Sequence, residues 1–246
     1  MSRTHRHHDA VDRLERLLRA HQDLNDPRRD PRNRSRWLPE LRRWQSARLE
    51  ASFRHFLHDP RREPAARFFL SDVYADKDFS RRDADIVKVL PMMQRLLPAR
   101  LLAAVADAIE LALLTHALDL RMIQWLDDNA ARAKVLDAAL YADAYRGTGL
   151  PRVRGRQIDL IVRAGLGLAQ ALKMPGVSTL LRLSRGPARA AGLEELQNFL
   201  ERGAAAFARL GDVSGFIAEI ERGEREVSRR LFAAAPDPFG DDGSFS

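Results

Sequence analysis

Apolar residues recur every three to four positions along nearly the whole chain, with no sustained alternation between turn signals. The pattern predicts helices and no strand. Val11, Leu14, Leu17, Leu18 and His21 mark a first helix from about Asp9 to His21. Asn25 to Ser35 carries Pro27, Pro31 and dense charge, and reads as a loop or flexible linker. A second helix is expected from Trp37 to His58. Leu38, Leu41, Gln45, Leu49, Phe53 and Phe56 share one face, Trp37 and Trp44 flank it, and Arg36, Glu40, Arg43, Glu50 and Arg54 lie opposite. Pro60 ends it. A third helix opens near Pro64 and runs to Tyr74. A fourth starts at Ser80, where Ser80 and Asp83 have capping-box spacing, and Pro91 is placed to kink or break it.

Pro98 opens a long fifth helix reaching about Asp127, roughly 45 Å at 1.5 Å per residue. Its stretch Leu101 to Leu118 is the most apolar in the chain, but Asp107, Glu110 and His116 interrupt it. It therefore reads as a buried central helix rather than a membrane span. Further helices are expected around Arg132 to Tyr145, Arg154 to Lys173, Val177 to Leu183, Leu193 to Leu210 and Val213 to Phe232, divided by Gly147-Thr148-Gly149, Met174-Pro175-Gly176 and Ser184-Arg185-Gly186-Pro187. The fold class is all-α, a single bundle-like domain of about eight to ten helices around the long central one. Residues 1–35 form a basic helix and flexible arm, 36–233 the helical domain, and 234–246 a disordered tail with an isolated Phe239.

Charge adds an asymmetry that the apolar pattern does not show. Residues 1–67 hold 17 Arg, no Lys and 10 acidic groups, which accounts for the whole net charge of +7; the remaining chain is balanced. Arg28, Arg29, Arg32, Arg34, Arg36 and Arg43, interleaved with Trp37 and Trp44, form a candidate contact arm for an acidic protein or, alternatively, a nucleic acid. The polar N-terminus lacks the apolar core of a secretory signal, and the chain contains no cysteine. A cytoplasmic setting is expected.

Catalytic signatures are missing. The chain has no P-loop, no G-x-G-x-x-G, no H-E-x-x-H and no G-x-S-x-G, and no Glu has His three residues later, as a di-iron bundle needs. His55 and His58 stand one helical turn apart but read as a solvated helix end. His5, His7 and His8 sit in a polar terminus. Asp107 and Glu110 share one side of their helix while His116 points elsewhere, so these read as a polar stripe plus a hydrogen-bonded histidine rather than one site. Arg182, Arg185 and Arg189 surround a turn just before a helix and form a candidate anion site. No cofactor or metal is implied.

The segment Phe68-Phe69-Leu70-Ser71-Asp72-Val73-Tyr74, continuing through Asp78-Phe79-Ser80-Arg81-Arg82-Asp83, resembles an F-F-L-x-D-x-Y-x-x-x-D-F-x-x-R-D motif of a family of uncharacterised proteobacterial helical proteins. Leu181 to Pro187 and Leu196 to Gly203 are similar to later parts of that family. The resemblance spans roughly residues 40–232; it implies a bacterial, cytosolic, all-α protein and transfers no catalytic residue. Read physically, the motif is a helix–loop–helix corner in which Tyr74, Asp78, Arg81 and Arg82 tie the loop or line a ligand surface. The leading expectation is a non-enzymatic interaction or regulatory protein with a protein partner and no membrane. A nucleic-acid-associated protein and a sensor or enzyme for an anionic small molecule are the alternatives. Trp37 and Trp44 leave a homodimer open.

Overall fold

Helices start where a side chain or a proline replaces the amide bonds that the first turn lacks. Asp137 accepts from the Leu140 amide at 2.8 Å, and Asp212 from that of Gly215 at 2.8 Å. Pro151 occupies the first turn of its helix, preceded by Gly149 and Leu150 in the left-handed region at φ +66° and +67°. The computed structural model describes residues 3–70 and 99–240. Among these it contains eleven α-helices, one 3-10 turn and no strand. The helices are α1 (Arg3–Asn25), α2 (Trp37–Ser52), α3 (Arg54–Leu57), α4 (Glu63–Phe68), α5 (Ala99–Asn129), α6 (Ala138–Gly147), α7 (Pro151–Leu172), α8 (Val177–Leu183), α9 (Arg185–Ala190), α10 (Glu194–Arg209) and α11 (Val213–Phe232); the 3-10 turn is Pro31–Arg34.

The 31-residue α5 is the column. Helices α1, α2, α6 and α7 and the 3-10 turn pack on it, α11 packs on α7, and α10 covers α4. Three apolar clusters fill the contacts. One gathers Trp37, Leu41, Leu120, Ile123, Leu126, Tyr141, Tyr145 and Leu231. A second, rich in phenylalanine, joins Phe56, Phe68, Phe207, Phe216 and Ile217. The third is smaller and joins Leu14 and Leu18 of α1 to Leu102, Ala106 and Ile109 of α5. By length and composition α5 could also cross a bilayer. Its C-terminal half is nevertheless core, with Leu118, Leu120, Met122, Ile123 and Leu126 all buried.

The structure corrects several expected boundaries. The helix expected over 37–58 breaks at Phe53 (φ −116°, ψ 24°), and the break lets the Phe53 and Phe56 rings stack at 5.5 Å on the second cluster. Residues 130–137 are not helical, so the next helix waits for the Asp137 cap. Residues 25–35 form a loop that contains the 3-10 turn. Their amides close on Asp26, Asp30 and Arg32, and α1 before them packs along α5. The chain after α11 folds back as far as residue 240, and Phe239 meets the Trp44 and Tyr141 rings edge-on at 5.2 and 6.0 Å. The expected helix at Ser80 and its Pro91 kink lie outside the described residues.

Candidate functional site

The basic segment becomes a built edge because its aspartates bind its own backbone. Asp26 accepts from the Arg28 amide at 2.8 Å, and Asp30 accepts from the Arg32 amide at 3.1 Å, the local bonds Asp favours in turns. The Arg32 fork then grips the Asp30 carboxylate at 2.9 and 2.6 Å, which holds that carboxyl below its ordinary range. Asn33 donates to the carbonyls of Leu24 and Asp30, so it locks the end of α1 to the turn. Ser35 donates to Asp127 of α5 at 3.1 Å. Arg36 lies over the Trp37 ring at 4.1 Å and donates to the Ala133 carbonyl at 2.7 Å.

Several of the candidate arginines are thereby used internally. Arg29 pairs with Asp23 at 2.7 Å, and Arg43 donates to the Pro39 carbonyl at 3.3 Å. Arg28 and Arg34 are exposed, and no described carboxylate pairs with either guanidinium. Pro31, Arg32, Arg34, Ser35, Arg36 and Asp127 line a shallow groove of about 410 Å³. Trp37 is fully buried, and Trp44 is half-buried and stacks on Tyr141 at 3.8 Å.

Behind this edge runs a buried polar seam. His116 is buried, its Nε2 against Asn33 Oδ1 at 2.8 Å and its Nδ1 against Arg42 Nη2 at 3.4 Å. Because Asn33 accepts and Arg42 donates, the ring is neutral with its proton on Nε2. Burial, aided by the Arg42 charge, lowers its pKa to about 4. On the same helix, buried Asp119 accepts from Gln45 of α2 at 2.9 Å, and burial pushes its carboxyl up. Arg154 is buried against the Met122 sulfur, Gln157 and the face of Tyr145. Arg48 of α2 makes a buried two-pronged pair with Glu224 of α11. The Tyr145 hydroxyl donates to Ser228 at 2.9 Å. Gln45, which interrupts the apolar stripe of α2, was the sequence signal for this seam. Arg48 and Glu224, 176 residues apart, gave none.

The other candidates separate. Asp107 and Glu110 face the same way, as expected: Arg13 bridges them, and Arg163 and Arg156 complete the network from α7. His55 bonds Glu219 at 2.6 Å. Arg185 bonds Glu201 at 2.6 Å and Arg189 bonds Glu194 at 3.3 Å, while Arg182 is exposed. The three guanidiniums expected to gather around an anion are thus tied to carboxylates at two positions, and Arg185 holds Glu201 below the ordinary carboxylate range. Gln197 links the same turn by donating to Leu181 O and Glu201. Tyr74, Asp78, Arg81 and Arg82 lie outside the described residues.

Residues 23–238 match the family model described as Domain of unknown function (DUF8198). No curated protein and no solved structure matches the chain.

Proposed function

The chain belongs to this family, whose description assigns no activity, and from the chain's own geometry we propose a non-enzymatic interaction protein that docks an acidic partner protein on the edge formed by residues 26–36. The observation that carries the reading is the pair Arg28 and Arg34. Both stand exposed on a turn that side-chain bonds already hold rigid, and no described carboxylate neutralises them. A preorganised cationic edge loses little conformational entropy on binding, and it steers an anionic partner at long range. The balanced charge of residues 68–246 leaves this quarter of the chain as the attractive pole. A protein partner is favoured over single-stranded nucleic acid because Trp37 and Trp44 are engaged within the fold, which removes the stacking platform such strands use. The pairing of Arg185 and Arg189 with glutamates weighs against the small-anion reading. A bacterial cytoplasm is the setting this reading assumes. It takes α5 as a core column, since its Asp107, Glu110 and Asp119 all hold side-chain partners.

The test is a fluorescence-anisotropy titration of the full chain against three labelled probes: a twelve-residue Glu/Asp peptide, a twelve-nucleotide single strand and a twenty-base-pair duplex. The acidic peptide is expected to bind, and at least tenfold more tightly than either nucleic acid at 150 mM salt. Equal or tighter binding of a nucleic acid would replace the protein partner by that one. Turnover of a metabolite in an activity screen would overturn the non-enzymatic reading.

A further inference from the structure

The groove beside the 26–36 turn is not uniformly basic. Of its three arginines, Arg32 is spent on Asp30, and Arg36 lies over Trp37 and donates to the Ala131 and Ala133 carbonyls at 3.4 and 2.7 Å. Arg34 is exposed and makes no side-chain bond among the described residues. The same groove contains one carboxylate, that of exposed Asp127. Its Oδ1 accepts from the Ser35 hydroxyl at 3.1 Å. A carboxylate offers about four lone-pair sites on its two oxygens, so one hydroxyl leaves Asp127 largely unspent. Its neighbours on α5 are occupied: Asp128 accepts from Gln124 with both oxygens at 3.1 Å, and Asn129 donates to the Trp125 carbonyl at 2.8 Å. Asp127 also stands in the last turn of a 31-residue helix, a turn that holds no basic residue. The C-terminal end of a helix dipole is negative and favours a cation. The groove thus offers one unspent cation, Arg34, and one unspent anion, Asp127, with Ser35 between them.

We propose that Asp127 selects among acidic partners: the edge takes an acidic protein segment that carries a lysine or arginine among its carboxylates, with a carboxylate on Arg34 and the cation on Asp127. This selection rests on the docking role proposed above for residues 26–36. A segment of carboxylates alone sets one of them against Asp127, where like charges repel. A phosphate backbone, whose charges are all of one sign, meets the same repulsion. Net charge ranks partners by their number of carboxylates, and Asp127 reverses that ranking at one position.

Three twelve-residue peptides test the selection, each Glu/Asp throughout except at the sixth residue, which is Glu, Gln or Lys. They are titrated by fluorescence anisotropy against the unsubstituted full chain and the chain carrying Asp127→Asn, at 50 mM salt. Asparagine keeps an oxygen for the Ser35 hydroxyl, so the fold is expected to be retained, with an unchanged unfolding midpoint as the control. The unsubstituted chain is expected to bind the Lys peptide about threefold more tightly than the Gln peptide, as an exposed ion pair allows, although the Lys peptide carries less negative charge. On the Asp127→Asn chain the order is expected to return to that of net charge: Glu, then Gln, then Lys. Equal or tighter binding of the Gln peptide by the unsubstituted chain would overturn the proposal while leaving the docking role standing. A Lys preference that survives Asp127→Asn would also overturn it. If none of the three peptides bound, both the selection and the docking role would fall.

Discussion

Arg48 is 7% exposed and paired with Glu224 across the interior, so removing one partner strands the other charge away from water. Breaking such a pair costs about 3–5 kcal/mol, whereas replacing both groups with apolar ones of similar volume is close to neutral. Urea unfolding is accordingly expected to find Glu224→Gln destabilised by that amount, and Arg48→Met with Glu224→Leu much less destabilised than Glu224→Gln alone. His116 gives a pH dependence of definite sign. Its folded pKa, about 4, lies below its ordinary 6.5, so the unfolded chain takes up the proton first as pH falls. The stabilisation is complete above pH 6.5 and is lost as pH drops from there through 4; over that window it amounts to about 3 kcal/mol. Substituting His116→Gln is expected to flatten this part of the stability profile, read by urea midpoints at pH 7 and 4.5. An unchanged slope would mean that His116 is not the group that titrates. Protonation would also repel Arg42 and remove the acceptor that Arg42 uses, next to Asn33 and the turn it holds.

At the scale of elements, Leu14→Ala in α1 empties a fully buried position and is expected to cost about 2–5 kcal/mol in thermal or chemical unfolding. If α1 lay loose on the surface, the change would fall within about 0.5 kcal/mol. Much of this level was legible in the sequence. The period of apolar residues located α2, α5, α7, α10 and α11, and the longest apolar run, interrupted only by Asp107, Glu110 and His116, singled out α5 as the column. What was not legible has physical causes. Periodicity registers a continuous stripe, and α2 and α3 share one, so the break at Phe53 was hidden. Prolines and dense charge signal a loop, but they do not say whether the loop is tied down. Asp26, Asp30 and Asn33 tie it with bonds between particular atoms, and those follow only from the turn geometry. Phe239 looked isolated because its partners, Trp44 and Tyr141, come from distant segments. The candidate site was half legible: the charge asymmetry located the basic edge, but composition cannot tell Arg32, gripped by Asp30, from Arg34, which has no such grip.

For the whole molecule, the positive excess is carried by residues 1–67, which include the edge of residues 26–36, while the rest of the chain is balanced. Binding carried by that edge weakens with salt, because exposed charges are screened within about 10 Å at 0.1 M ionic strength. The most direct measurement compares the unsubstituted chain with one carrying Arg28→Glu and Arg34→Glu, titrated by calorimetry with the acidic peptide at 50 and 200 mM salt. Both substitutions are on exposed positions, so the fold is expected to remain intact, with an unchanged unfolding midpoint as the control. The account predicts measurable affinity for the unsubstituted chain that falls at least tenfold between the two salt concentrations, and none for the substituted chain. Equal affinity of the two chains for the peptide would contradict it.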